Sequence, residues 1–243
     1  MRKALHHWTS DRLGRDLGVV VYGHWGSPLL LFPTSGGDEW EAEQQGLIGA
    51  LEEFIDAGRV KVYALGSVNA ESFYNKRAHP YHRSYVQSQF DAYLRYEVLP
   101  FVEHDCQTPG ITMTTAGPSF GAYHAANSLF KHPDVVKRCF ALSGLYDLRR
   151  FMDGLYDENF YFNNPIDYLA NLSDPAILAA LATCDIHIAT GSGPWEHSEW
   201  SYELSAVLTR RGIRHALDDW GPAGGHDWPF WKNEMREYLR RHF

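Results

Sequence analysis

The sequence predicts an α/β fold: a mostly parallel central sheet opened by antiparallel N-terminal strands, with helices on both faces and a small insertion after the sixth strand. Three observations carry this. Residues 2–9 and 14–22 read as two strands with no helix between them, which predicts an antiparallel start. "SPLLLFP" at 27–33 is a short, wholly apolar run, the pattern of a strand buried on both faces. From there on, β-branched runs alternate with segments of helical periodicity, which predicts parallel strands joined by crossover helices.

Each element follows in order. Helical periodicity runs from about 40 to 57, a strand covers 59–67, and a long amphipathic helix covers 82–104. "GITMTTAG" at 110–117 is a strand rich in β-branched residues, and the helix after it stops before Pro133. Strands at 136–144, 184–192 and 213–221 follow, with a helix at 198–212 closed by Gly212 and a last helix beginning at "WPFW". Residues 147–183 interrupt the alternation. They are too long for a loop and too aromatic for a linker, so they are read as a small helical, cap-like insertion within one domain spanning 1–243.

The chain has 243 residues, 44% hydrophobic and 21% charged, enough for one domain with a large core and no disulfides. Its formal charge is −8 and its Lys/Arg residues form no stripe, which argues against nucleic acid as a partner. Cys106, Cys139 and Cys184 show no metal or redox spacing, and so few cysteines suit a reducing compartment. There is no signal-peptide core at the N-terminus and no apolar run of about 18 residues. The expectation is a cytoplasmic protein without a membrane partner; a homodimer is compatible with the sequence.

Gly117-Pro118-Ser119-Phe120-Gly121 matches G-x-S-x-G between a predicted strand and a predicted helix. That context puts the serine on a sharp turn with its hydroxyl exposed. The glycines are needed because side chains there would strike the neighbouring strand and helix. A serine nucleophile requires a base, and in this architecture the order along the chain is Ser, acid, His. His226 in "GPAGGHDWPFW" follows the last strand and precedes the last helix, on glycines that suggest a mobile loop. His124, His132, His187 and His197 are worse placed. The loop after the preceding strand, "GSGPWEHSEW", offers Glu196 and Glu199; Glu196 lies nearer the strand end, and Glu199 falls in the first helical turn. The backbone N–H of Phe120 is one candidate oxyanion donor, and that of Ser35 or Gly36 in "PTSGGDEW" is the other.

Together, "FPTSGGDEW", "SFYNK", "GPSFGAYHAAN", "LSGLYDL" and "GGHDWPFW" resemble the putative-esterase (esterase D-like) branch of the α/β-hydrolase superfamily. That branch includes S-formylglutathione hydrolases, feruloyl esterases and mycolyltransferases. The resemblance covers nearly the whole chain and implies an α/β-hydrolase fold. It maps the nucleophile to Ser119, the histidine to His226 and the oxyanion loop to "PTSGG". The chain departs from the pattern in three places: Glu196 where the family usually carries Asp, Pro33-Thr34 at the start of the oxyanion loop, and Pro118 before the nucleophile.

These readings converge on a serine carboxylesterase acting on small or medium esters through Ser119, His226 and Glu196, with no cofactor and no metal. Phe73, Tyr74, Trp195 and Trp228 are candidate pocket residues, at the sheet edge where open α/β sheets bind ligands. "YDENFYF" in the insertion is a candidate partial lid. An acyltransferase using the same residues, and a ligand-binding protein on a hydrolase scaffold, remain as alternatives.

Overall fold

The computed structural model describes all 243 residues. Strands β1 (Lys3–Ser10) and β2 (Arg15–Tyr22) form an antiparallel pair, turning at Gly14. Strand β3 (Ser27–Leu31) is followed by three short helices, α1 (Glu41–Gln44), α2 (Leu47–Ala50) and α3 (Glu52–Asp56), and then by β4 (Val60–Leu65). Helix α4 (Pro80–Tyr93) runs through a wide turn at Leu94–Val98 into α5 (Leu99–Asp105). Strand β5 (Met113–Pro118), helix α6 (Phe120–Lys131) and strand β6 (Val136–Leu142) come next. The insertion contributes α7 (Glu158–Tyr161), α8 (Pro165–Ala170) and α9 (Pro175–Leu181). The chain then continues through β7 (Asp185–Thr190), α10 (Ser198–Arg210), β8 (Ala216–Asp219) and α11 (Trp228–His242).

The eight strands make one sheet in the order β1-β2-β4-β3-β5-β6-β7-β8. The β1–β2 and β2–β4 pairings are antiparallel, and every later pairing is parallel. This is the α/β-hydrolase architecture the sequence predicts. One core cluster, including Leu30, Phe90, Ala125 and Leu204, packs on one face of the sheet. A second, including Leu31, Phe54, Trp231 and Met235, packs on the other. Strand β3 shows why its apolar run is unbroken: Leu30 belongs to the first cluster, and Leu29 and Leu31 to the second. No helix is long and apolar enough to cross a membrane.

Two predicted helices differ in detail. The periodic segment 40–57 forms three short helices: Gly46, left-handed at φ +76°, separates the first two, and Leu51 (φ −100°, ψ 1°) separates the second from the third. The long helix at 82–104 contains one wide turn, in which Leu99 N donates to Leu94 O. Pro100 follows at once; it has no N–H for the Tyr96 carbonyl, and a widened turn accommodates it.

Candidate active site

Strand β5 is buried along its length and its pairing extends one residue further, where Ser119 N donates to Leu142 O of β6 (2.8 Å). At that residue the backbone reverses. Ser119 has φ +56°, a conformation that a residue with a side chain adopts only when its surroundings force it. Both flanking glycines are forced by space. A Cβ on Gly117 would lie 2.6 Å from the Gly121 backbone in α6, and one on Gly121 would lie 2.5 Å from Phe32 O at the end of β3. The motif is therefore a strand-to-helix turn that only glycine permits at these two points.

His226 arrives from the loop between β8 and α11, and its Nε2 lies 2.9 Å from Ser119 Oγ. This loop is docked on the one that carries Glu196. Gly193 N donates to Gly224 O (2.8 Å), Ser192 N to Gly221 O (2.8 Å) and His226 N to Pro194 O (3.0 Å). The glycines serve close approach: a Cβ on Gly224 would lie 2.7 Å from the Trp220 side chain, and one on Gly225 3.0 Å from the Phe230 ring. Trp231 packs edge-on against the imidazole, with ring centroids 5.1 Å apart. Asp227 caps α11 by accepting from Trp228 N (2.7 Å). Burial lowers the His226 pKa below its usual value; His197 lowers it further, and Asp227 opposes both.

Glu196 lies on the loop bonded to the His226 loop, and it is the only carboxylate between β7 and α10. Thr190 Oγ1 donates to its Oε1 (3.0 Å), while Oε2 is buried without a partner. No hydrogen bond joins it to His226 Nδ1 in this arrangement. Burial raises its pKa, against the pull of the Ser143 and Thr190 hydroxyls. Glu199 is exposed and bonded to His197 Nδ1 (3.1 Å).

Three of the other candidate histidines, His132, His187 and His124, are engaged elsewhere. His132 bonds Asp91 (3.0 Å), and His187 bonds Asp185 (3.0 Å) and Asp218 (2.9 Å). His124 is buried and bonds Asn69 Oδ1 (2.8 Å); burial pushes its pKa down to about 3. It is neutral, so its Nε2–H donates to Asn69. Asn69 Nδ2 in turn donates to Thr34 O (3.2 Å), at the start of the predicted oxyanion loop. Glu41 holds the same residue from the other side, accepting from Thr34 N (2.7 Å) and Oγ1 (2.5 Å). Asn69 and Glu41 were not anticipated from sequence. Asn69's place just past the C-terminal end of β4 was the available signal.

Phe120 opens α6, so its N–H is one of those a helix start leaves without an intrahelical acceptor. Ser35 lines the cavity above Ser119, which has a volume of about 330 Å³; Gly36 does not line it. Gly36 stands in open space, and Gly37 makes room for the Glu41 side chain. Tyr74 and Trp195 line the cavity as expected. Phe73 does not. It is 0% exposed, within an aromatic cluster of Phe120, Tyr123 and Phe160 behind the cavity wall. Trp228 packs beside Pro33 and Pro118, outside the cavity. The "YDENFYF" segment contributes no residue to the wall either; its Phe160 is in the same buried cluster. Ser143, Leu145, Arg150, His197 and Trp200 complete the wall.

A match to the family described as "Putative esterase" spans residues 10–242. The chain belongs to this esterase family. As such it is a serine hydrolase. Solved structures of similar architecture accompany this esterase. A ferulic acid esterase superposes with a TM-score of 0.72 at 15% identity, covering 100% of this chain and 99% of its own. The S-formylglutathione hydrolase of Agrobacterium tumefaciens gives 0.72 at 13% identity, covering 99% and 94%. The fluorophosphonate-binding serine hydrolase F of Staphylococcus aureus gives 0.69 at 18%, covering 99% and 97%. At these identities the likeness is one of fold. No curated protein sequence matches the chain.

Proposed function

We propose that the protein is a serine carboxylesterase for small or medium carboxylic esters, working through Ser119, His226 and Glu196. The observation that carries this is the 2.9 Å approach of His226 Nε2 to a serine hydroxyl held at φ +56° at the start of a helix. Ser119 Oγ attacks the ester carbonyl while His226 Nε2 takes its proton. The tetrahedral oxyanion is held by the N–H groups of Phe120 and Ser35, the second chosen over Gly36 because Ser35 reaches the cavity wall. His226 returns the proton to the leaving alcohol, and the acyl-enzyme is then hydrolysed by water that His226 activates.

Glu196 is the acid of this reading. Its loop is bonded to the His226 loop, and it keeps one carboxylate oxygen unpartnered. Its role is to receive the Nδ1–H as the imidazolium forms. The chemistry of these residues needs neither a metal nor an organic cofactor, and the substrate is a small-molecule ester.

The test is intact mass after incubation with a fluorophosphonate. One adduct on Ser119 is expected, greatly slowed in His226→Ala. A folded wild-type protein that takes up no adduct would overturn the assignment and favour a ligand-binding role.

A further inference from the structure

Resting on the ester-hydrolase reading, we infer that the substrate ester carries a carboxylate, and that Arg150 receives it. The chain has a net charge of −8, yet the cavity wall above Ser119 contains no Asp or Glu. Its charged or ionisable side chains are Arg150, His197 and His226, apart from the Tyr74 phenol. In an acidic protein, such a wall is a local inversion of charge.

The state of Arg150 separates it from its neighbour. Arg149 is paired with both Asp147 and Asp167. Arg150 has no ion pair and no hydrogen bond. It is held by two aromatic rings: its guanidinium carbon lies 5.1 Å from the centroid of Phe151 and 5.1 Å from that of Trp200. Cation–π contacts position a guanidinium without neutralising it, so its N–H donors remain available. Trp200 is fixed in turn by His197, which stacks on it with centroids 4.4 Å apart. Glu199, in the first turn of α10, is bonded to His197 Nδ1 (3.1 Å).

A planar guanidinium with free donors matches a carboxylate in two parallel hydrogen bonds. The apolar part of such a substrate has a surface to meet at the mouth. Trp195 is 73% exposed and sits at φ +57°, a conformation sparsely populated by residues with a side chain. Trp195, Tyr74 and Trp200 thus offer rings for the carbon skeleton, and Arg150 offers the charge.

Two substrate pairs test the inference. One is 4-nitrophenyl butyrate against mono-4-nitrophenyl glutarate, with the carboxylate on the acyl side. The other is phenyl butyrate against 4-carboxyphenyl butyrate, with the carboxylate on the alcohol side. In at least one pair, kcat/KM for the charged ester is expected to exceed that for the neutral one by about tenfold at low salt, the size of one charge-assisted contact near a surface. Added salt should shrink the ratio. In Arg150→Gln the ratio should fall by about tenfold, and Arg150→Lys should keep part of it. Comparing ratios between wild type and variant cancels both general losses and leaving-group reactivity. No charged preference in either pair, or a preference unchanged in Arg150→Gln, would overturn the inference. Failure to hydrolyse any of the four esters would instead remove the esterase reading itself, and this inference with it.

Discussion

Gly191 and Gly224 meet backbone to backbone: a Cβ placed on Gly191 would lie 2.3 Å from the Gly224 carbonyl oxygen. Gly191 begins the loop that carries Glu196, and Gly224 lies two residues before His226. Their contact joins the two loops that carry the proposed base and the proposed acid. Gly191→Ala cannot be absorbed by a flexible side chain, because the obstruction is backbone. We expect a destabilisation of about 1–3 kcal/mol, a fall of several degrees in Tm for a domain of this size. We also expect kcat/KM to drop by tenfold or more, since small misplacements of reacting groups are costly. Thermal melts and ester kinetics on the one variant check both.

In the proposed mechanism His226 must be neutral to accept the Ser119 proton, so its titration governs the acid side of the pH profile. Burial and His197 both hold its pKa below 6.5. A lowered pKa keeps the base neutral to lower pH, and kcat/KM should fall only as pH drops through that depressed value. His197→Gln removes one of the two lowering influences. The acid limb of the profile should then move toward higher pH. An unmoved or oppositely moved limb would show that His197 does not act on the base.

The proposed oxyanion loop is held by groups that lie outside the cavity wall. His124 orients Asn69, Asn69 holds Thr34 O, and Glu41 holds the Thr34 amide and hydroxyl. Asn69→Ala would release one side of this clamp and leave the buried His124 N–H without its acceptor. The cost in stability is expected to be about 1–3 kcal/mol. Loosening a donor, rather than deleting it, should cost less than the 10²–10³ of a lost oxyanion contact, so we expect roughly a tenfold fall in kcat with KM little changed. Steady-state kinetics separate this from a purely structural role, which would lower Tm without selectively lowering kcat.

Much of this architecture was legible in the chain because its signals are local. The β3 run reads as a buried strand since both of its faces are covered. The turn at Ser119 reads from its glycines, whose missing side chains are required by the backbone of α6 and β3. At the His226 loop the glycines likewise meet close packing, Gly224 against Trp220 and Gly225 against Phe230. Phe73 was misplaced because an apolar ring near the sheet edge looks alike whether it faces a cavity or a core. Arg150 carried no signal in the sequence, and Asn69 only its place after β4. What matters in each is a long-range relationship: the carboxylate that Arg150 lacks, and the loop 35 residues away that Asn69 holds.

Glu234 on α11 is 0% exposed, and neither carboxylate oxygen has a hydrogen-bond partner. Burial, with a smaller push from Glu196, raises its pKa from 4.5 to about 8. It is therefore neutral at pH 7 in the folded protein, whereas the unfolded chain ionises it near its ordinary value. Between pH 4.5 and about 8 the folded state binds the extra proton. Stability from this group is fully present below the unfolded pKa and is lost as pH rises through that window. Glu234→Gln keeps the shape and removes the titration. Wild-type Tm should decline from pH 5 to pH 9 more steeply than that of the variant, so the two curves diverge on the alkaline side with the variant higher. Parallel curves would mean that Glu234 ionises at its ordinary pKa despite its burial.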